Sequence, residues 1–254
     1  MLKILAETCG ATVFSGEEMA ITPTSRRTLL NKGALALLSV GSLSACSAGL
    51  DAKEVGAVED LMREHGILRR VLLVYVETVP QLRIDAASVN ASALNKAAKL
   101  FRDFGEEYHE RKLEEAHIFP RIRKAGGQIV SYVDKLLFQH QRGREITEYI
   151  IRNTGGGKIS TSTAEPLARA FETFALMYQN HAAREDTIIF PAWKNALSSS
   201  EIEEFGDKFE DIEKQQFGRN GFEDAMKQVD GIEQSLGLAD ISKFTAPPPP
   251  RSPV

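Results

Sequence analysis

The chain has 254 residues, of which 43% are hydrophobic and 26% are charged, and its formal net charge at pH 7 is −4. This is ordinary globular composition, and the length is sufficient for one good-sized core. The negative net charge and the lack of a basic stripe argue against nucleic acid as a partner.

Residues 1–46 are predicted to be an export signal rather than part of the fold. The stretch "SRRTLL" at 25–30 precedes an apolar run that is shorter than the roughly 20 helical residues needed to span a bilayer. A charged stretch, a short apolar run and then small residues are typical of a signal peptide. The pair Arg26 and Arg27 resembles a twin-arginine signal. The sequence "LSAC" resembles the lipobox of bacterial lipoproteins, in which cleavage leaves Cys46 at the new N-terminus for acylation.

This signal predicts a protein exported by a bacterium, to the periplasm or to the cell surface. We expect contact with a membrane only through lipid on Cys46, with residues 47–56 as a tether. The alternative is a simple secretory peptide in which the cysteine has no special role. The sequence leaves open which membrane is involved, and whether translation starts at Met1 or at Met19.

Beyond the tether, the hydrophobic pattern is helical and predicts an all-α fold. Pro80 is expected to end the first helix, Asn90 to cap the second, and a glycine-rich loop at 153–161 to separate the third from the fourth. Long amphipathic helices with short connections predict an up-down-up-down four-helix bundle over residues 57–196. The four predicted helices cover about 57–78, 91–124, 128–152 and 163–196.

Two further helices are predicted after the bundle, at about 200–215 and 221–236. They form a C-terminal helical extension, residues 197–243, that is expected to cover part of the bundle. The proline-rich end of the chain, residues 244–254, is predicted to be a disordered tail.

Histidine placement is the first indication of a functional site. A lone histidine on a helix usually serves the core or the surface, but here each of the four predicted bundle helices carries at least one. Metal sites in helical bundles are built in this way, from histidines and carboxylates that project inward from facing helices. The five histidines are His65 on the first helix, His109 and His117 on the second, His140 on the third and His181 on the fourth.

Two stretches, "YHERKLEEAHIFP" and "NHAAREDTIIFP", add acids in a matching register. His181 and Glu185 are four residues apart, so they lie about 40° apart on one helix face. His109 and Glu114 are five apart, about 140° on a regular helix. Because each Glu lies five residues before a Phe-Pro pair, we match Glu114 with Glu185 and expect a single π-bulge to absorb the extra residue. The alternative for each pair is ordinary helix-surface charge.

The apolar ends of the two copies and the extra histidine complete this interpretation. Each proline is expected to end or kink its helix just past the site, while the Ile and Phe before it close the floor of the site. His117 follows His109 by eight residues, about 12 Å along the helix axis, which is too far to share a centre with it. The equivalent residue in the second copy, Ile188, coordinates nothing, so His117 is retained only as a possible extra ligand.

Taken together, these motifs resemble the hemerythrin-like, or HHE cation-binding, domain over residues 57–196. The resemblance rests on a His in the first helix, H-x4-E-E-x3-F-P in the second, a His in the third, and H-x3-E before F-P in the fourth. It implies a non-haem di-iron centre with histidine terminal ligands and bridging carboxylates. Carried over by position, the ligands are His65, His109, His140 and His181, with Glu114 as the bridge and Glu185 as the second carboxylate.

The chain departs from the oxygen-carrying members of this family in two respects. Those proteins have a second His four residues along the third helix, where this chain has Arg144, and they have one residue fewer between the His and the Glu of the second helix. Reversible oxygen carriage of that kind is therefore in doubt. One iron is expected to be poor in ligands and to be completed by water, Tyr178 or Glu145, with Glu115 as a further possible ligand. Such an open position suits O2, NO or peroxide.

Imidazole and carboxylate together favour iron, manganese or zinc over calcium or magnesium. The leading hypothesis is a protein that binds or senses O2 or NO, or that handles iron. The first alternative is a di-iron oxidase or peroxidase, or an enzyme that protects iron centres, and the second is a structural lipoprotein without a metal. No catalytic residue is assigned, and both enzymatic activity and oligomeric state are left open.

Overall fold

The computed structural model describes residues 55–250, and the predicted export signal, Cys46 and most of the predicted tether lie outside that range, as do the last four residues. Within residues 55–250 every regular element is helical and none is a strand, so the all-α prediction is confirmed for the part described. No helix between residues 55 and 250 is both long enough and apolar enough to cross a membrane.

The helices form four long rods followed by two helices of the C-terminal extension. The second and fourth rods each change from α-helix to π-helix and back without a break. The rods are α1 (Ala57–Ile84); α2 (Ala91–Leu100), the first π segment (Phe101–Ile118) and α3 (Phe119–Ala125); α4 (Val130–Thr154); and α5 (Thr161–Arg184), the second π segment (Glu185–Ile189) and α6 (Phe190–Asn195). The extension contains α7 (Ser199–Phe217) and α8 (Gly221–Ser235), and short 3-10 turns lie at Ala86–Ser88 and Ile241–Phe244.

The rods pack around a core of aromatic and aliphatic side chains. Helix α1 lies against α5 and the first π segment, while α4 lies against α2 and α5. In the core, the ring of Tyr75 stacks on that of Phe171 with centroids 4.6 Å apart. At Gly105 a Cβ would lie 2.9 Å from a methyl group of Leu68, so glycine permits the close approach of the first π segment to α1. That approach places the second rod beside His65.

The end of α1 differs from its prediction. Pro80 does not end the helix, which continues to Ile84 and closes with a hydrogen bond from the Asp85 amide to the Gln81 carbonyl. Pro80 is exposed, and it removes only its own amide hydrogen bond from the ladder. The next turn buries Leu82, and this burial keeps the chain helical beyond the proline. The predicted cap at Asn90 is confirmed, since its side chain accepts a hydrogen bond from the Ala93 amide.

Neither Phe-Pro pair ends its helix, so the first of the two expected roles, an end or a kink, is wrong. The amide of Phe119 donates to the carbonyl of Glu114, and the amide of Phe190 donates to that of Glu185. The five-residue spacing in each copy is therefore the i→i−5 hydrogen bond of a π turn. Beyond each turn the rod continues as an α-helix that carries its proline in the first turn, where a missing N–H costs least.

The π-bulge expected between His109 and Glu114 is confirmed as π hydrogen bonding, but its extent differs. The first π segment is 18 residues long rather than a single turn. A second π segment of 5 residues begins at Glu185, where the sequence predicted a regular helix. Both copies of the motif thus use a wide turn immediately after the acid, and this shared backbone explains their common register.

The two C-terminal helices lie close to their predicted positions. Helix α7 starts with a capping box formed by Ser198 and Glu201, and it ends at Gly218, whose φ of 73° favours glycine. Its last residue, Phe217, packs on the ring of Tyr108 with centroids 5.3 Å apart. On α8, Glu233 forms an ion pair with Arg70 of α1. The extension therefore covers the side of the fold where α1 meets the first π segment.

Candidate metal centre

Four buried histidines meet in the interior, one from each rod. The Nε2 atoms of His65 and His109 are 3.0 Å apart, and those of His140 and His181 are 3.1 Å apart. We call the first pair the α1 half of the site and the second pair the α4 half. Two imidazole nitrogens that face each other at this distance need a proton or a cation between them, because both otherwise present lone pairs.

Two carboxylates lie between the halves. One oxygen of Glu114 is 3.4 Å from Nε2 of His109, and its other oxygen is 3.3 Å from Nε2 of His140. One oxygen of Glu185 is 2.9 Å from Nε2 of His181 and 3.5 Å from Nε2 of His65. Each carboxylate thus contacts both halves, as a bridging ligand must.

The unsatisfied atoms of these carboxylates fit a metal. All four oxygens of Glu114 and Glu185 are buried, and apart from their contacts with these imidazoles none accepts a hydrogen bond within residues 55–250. Leaving charged oxygens in that state costs several kcal/mol unless a cation or a proton compensates. One ligand atom from each of Glu114, His140, His181 and Glu185 lies within 4.8 Å of the others, and the same holds for His65, His109 and Glu114. The cluster could therefore hold a cation in each half.

A wide turn brings Glu114 to this position, whereas Glu185 reaches it from a regular α-helical turn. In a regular helix Glu114 would point about 140° away from His109. The first π segment has more residues in each turn, so His109 and Glu114 face the same interior point despite their spacing of five. The second π segment starts only at Glu185, after the α-helical turn that separates it from His181. The two copies therefore present a His and a Glu together by different backbone routes.

A second layer of side chains fixes the orientation of every imidazole. Each Nδ1–H donates to a different side-chain oxygen, which leaves each Nε2 directed inward and available to a metal. The acceptors are Asp186 for His65 at 2.7 Å, Glu64 for His109 at 2.7 Å, Glu115 for His140 at 2.9 Å and Gln139 for His181 at 3.0 Å.

Sequence reasoning missed three of these acceptors, Glu64, Gln139 and Asp186. A signal was present, because each is the chain neighbour of a predicted site residue: Glu64 precedes His65, Gln139 precedes His140, and Asp186 follows Glu185. Glu115, expected as a possible ligand, is also such a neighbour. In the structure it binds Nδ1 of His140 and the guanidinium of Arg144, so it lies outside the ring of Nε2 atoms.

The buried carboxylates and imidazoles of the cluster shift one another's pKa values. Burial alone would lower the pKa of His109, but the charge and hydrogen bonds of Glu114 and Glu64 raise it well above its usual value. His140 behaves in the same way beside Glu110 and Glu114. Burial and Glu185 would raise the pKa of Glu114, yet the neighbouring imidazoles hold it below its usual value. In the absence of a metal, protons on the histidines therefore balance the buried carboxylates.

The α4 half also has a buried cationic neighbour. Arg144, in the place where oxygen carriers have a second histidine, forms ion pairs with Glu110 at 3.2 Å and with Glu115. Glu110 is fully buried, and burial raises its pKa to about 7. Glu110, Glu115 and Nδ1 of His140 form a further group with ligand-like spacing, on the outer side of that imidazole.

The other possible ligands are placed differently. Tyr178 is buried beside His181, with ring centroids 5.1 Å apart, and its hydroxyl has no hydrogen-bond partner within residues 55–250. Glu145 is not brought to the cluster, because it is exposed and pairs with Arg142 at 2.8 Å. It lies five residues after His140 on a regular α-helix, where that spacing points the side chain away. His117 lies near Lys208 and the aromatic rings of α7, also away from the cluster.

Comparison with known proteins agrees with this geometry. The family model for the hemerythrin HHE cation-binding domain matches residues 56–193. The chain is 40% identical over 192 residues to an uncharacterised protein of Mycobacterium bovis and to one of Mycobacterium tuberculosis. The alignment covers 75% of this chain and 74% of each relative. No solved structure matches the chain significantly.

Proposed function

We propose that this chain, which belongs to the hemerythrin HHE cation-binding family, is a non-haem di-iron protein. The observation that carries the proposal is the group of four carboxylate oxygens, approached only by imidazoles within residues 55–250, that lie buried between two pairs of facing imidazole nitrogens. The proposed ligands are His65 and His109 in the α1 half, His140 and His181 in the α4 half, and Glu114 and Glu185 between them.

The donor set supports iron and admits manganese or zinc. Imidazole and carboxylate ligands suit these metals better than calcium or magnesium. Two metals that share a carboxylate lie about 3.5–4 Å apart, which matches a carboxylate that contacts both halves. Iron bound here would supply an open coordination position and one-electron chemistry toward O2, NO or peroxide.

The protein side chains keep water away from this position and hold the imidazoles still. The Phe of each Phe-Pro pair stacks on a histidine of the cluster: Phe119 on His140 at 5.5 Å, and Phe190 on His65 at 5.4 Å between centroids. These contacts support the expectation that the Phe of each pair closes the floor of the site. A fully buried centre is reached more readily by a small uncharged ligand, so we propose that the protein binds or senses O2 or NO, or handles iron.

A second candidate function is reduction of peroxide or oxygen by the same centre. The observation that favours it is Tyr178, whose hydroxyl is buried without a hydrogen-bond partner in the described part of the chain. Burial raises the pKa of Tyr178 well above its usual value, so the hydroxyl keeps its proton. A protonated hydroxyl beside His181 is a suitable hydrogen-bond donor to a ligand in the α4 half.

We also propose that the four rods form an up-down-up-down bundle.

We further propose that the protein folds before it is exported. A twin-arginine route moves folded proteins, so iron can be inserted in the cytoplasm without competition from the more tightly binding copper and zinc outside. The test is fractionation of an Arg26→Lys/Arg27→Lys variant and of Cys46→Ser. The first should remain full-length in the cytoplasm and the second should carry no lipid. If both fractionate like the parent, residues 25–46 are not the signal.

The test of the di-iron proposal is iron content and the optical spectrum after anaerobic loading and exposure to air. The parent should hold about two iron ions per chain. Glu114→Ala should hold one or none, whereas Glu107→Ala, an exposed acid on the same π segment, should match the parent. Unchanged iron content in both Glu114→Ala and His181→Ala would contradict the assignment. Turnover of peroxide or NO by the loaded protein would favour an enzyme over a binding protein.

A further inference from the structure

The two halves of the site differ in the acceptors that hold their imidazoles. In the α1 half both acceptors are carboxylates, Asp186 for His65 and Glu64 for His109. In the α4 half one acceptor is the neutral amide oxygen of Gln139, which accepts from His181 at 3.0 Å. Gln139 is the one uncharged acceptor among the four.

The remaining acceptor of the α4 half, Glu115, is shared with a cation. The same carboxylate oxygen that accepts from His140 at 2.9 Å also pairs with Arg144. The guanidinium withdraws charge from this oxygen, and Arg144 is itself mostly buried, with 13% of its side chain exposed.

In the α1 half, Asp186 is likewise paired with an arginine, Arg69, through its other carboxylate oxygen. Glu64 accepts a further hydrogen bond from the neutral hydroxyl of Tyr108, at 3.1 Å. Each half thus has one acceptor paired with an arginine, and the charge difference between the halves comes from Gln139 in the place that Glu64 takes in the α1 half.

The charge of such acceptors changes the strength of the metal bond. A carboxylate behind an imidazole increases the electron density on the ligating nitrogen, and loss of one such partner typically lowers metal affinity 10–100-fold. A neutral amide orients the ring equally well but donates less charge. The α4 half therefore contains one imidazole, that of His181, whose Nδ1 faces no carboxylate, although each half has two histidines and access to the same two carboxylates between them.

We propose that the two metal positions are unequal, and that Gln139 makes the α4 half the position that holds its metal more weakly. This inference rests on the proposed di-iron function. The weaker position is the one that loses its metal first and that has the greater tendency to bind an outside ligand. The buried hydroxyl of Tyr178 lies beside His181 in this same half.

The test is release of iron from the full chain, loaded anaerobically with ferrous iron and then exposed to a ferrous chelator. Iron per chain is followed over time. The parent should release one iron fast and one slowly. Gln139→Glu should slow the fast phase about tenfold or more, because it supplies the missing carboxylate. Gln141→Glu is the matched control, since it adds the same charge two residues away at an exposed position facing Glu145.

A reciprocal change tests the other half. Glu64→Gln replaces a carboxylate acceptor with an amide, so it should accelerate the slow phase about tenfold or more until the two phases merge. A parent that takes up two iron ions and releases them in one phase overturns the inference and leaves the di-iron function intact. The inference is also overturned if Gln139→Glu acts no more strongly than Gln141→Glu, or if it slows the slow phase instead. A parent that takes up no iron contradicts the proposed function itself.

Discussion

Glu110 and Glu115 lie five residues apart on the first π segment, and both contact Arg144 and His140. Ionisation of these two carboxyl groups should nevertheless change the stability of the fold in opposite directions. Glu110 is fully buried, and burial raises its pKa from 4.5 to about 7. Glu115 is half-buried, and although burial opposes it, hydrogen bonds to His140 and Arg144 lower its pKa to about 2. We predict that at pH 8 Glu110→Gln stabilises the metal-free protein, whereas Glu115→Gln destabilises it.

The sign and size follow from the pKa values. An acid whose pKa is raised on folding binds more protons in the native state than in the unfolded state, so stability falls as pH rises above 4.5. For Glu110 this loss is about 1 kcal/mol at pH 5 and about 3 kcal/mol at pH 8. Gln mimics the protonated acid and removes the loss. Glu115 contributes stability above its unfolded pKa, and its contribution disappears as pH falls toward about 2.

The assay is denaturant unfolding of the chelator-treated protein at pH 5 and pH 8, with the slope m monitored for changes in the unfolded state. Glu110→Gln should gain about 2 kcal/mol more stability at pH 8 than at pH 5, relative to the parent. Glu115→Gln should be less stable than the parent at pH 8. The reasoning is refuted if Glu110→Gln shows no extra gain at pH 8, or if both variants shift stability in the same direction.

Three further predictions concern the second layer, the metal and the core. Asp186→Asn should lower metal affinity 10–100-fold in a chelator competition, while the exposed Asp134→Asn changes nothing. Calorimetry should show that removal of iron lowers the melting temperature, and that the difference widens from about pH 6.5 to pH 8. The raised pKa values of His109 and His140 stabilise the metal-free fold below the unfolded value of 6.5, and this stability is lost as pH rises through the raised values. Trp193→Ala removes a fully buried side chain that packs on α7, so it should lower the free energy of unfolding by about 3–5 kcal/mol. Denaturant unfolding followed by circular dichroism measures this change.

The helices themselves were largely predictable from the sequence. Apolar periodicity located all six long helical stretches, because burial of one face is the main force that orders an amphipathic helix. The structure also brings together the six residues that the sequence singled out, from His65 to Glu185. One histidine on each rod was sufficient for this prediction, since rods that share a core must direct their buried polar groups at one another. Their role as metal ligands stays a prediction.

Other features could not be read from the sequence. Periodicity does not report where hydrogen bonds shift from i→i−4 to i→i−5, so the length of the first π segment and the existence of the second were missed. The same limitation led to the expectation that Pro120 and Pro191 end or kink their helices, whereas both lie in the first turn of an α-helix that continues each rod. Gln139 was missed although it precedes a predicted ligand, because its hydrogen-bond partner, His181, lies on another helix.

The most direct test of the di-iron centre is anomalous diffraction at the iron edge from crystals of the iron-loaded protein. The account predicts two peaks about 3.5–4 Å apart, with Glu114 between them. One peak should lie at Nε2 of His65 and His109, and the other at Nε2 of His140 and His181. Peaks on the outer side of His140, at Nδ1 between Glu110 and Glu115, would contradict it, and so would the absence of iron from the four Nε2 atoms.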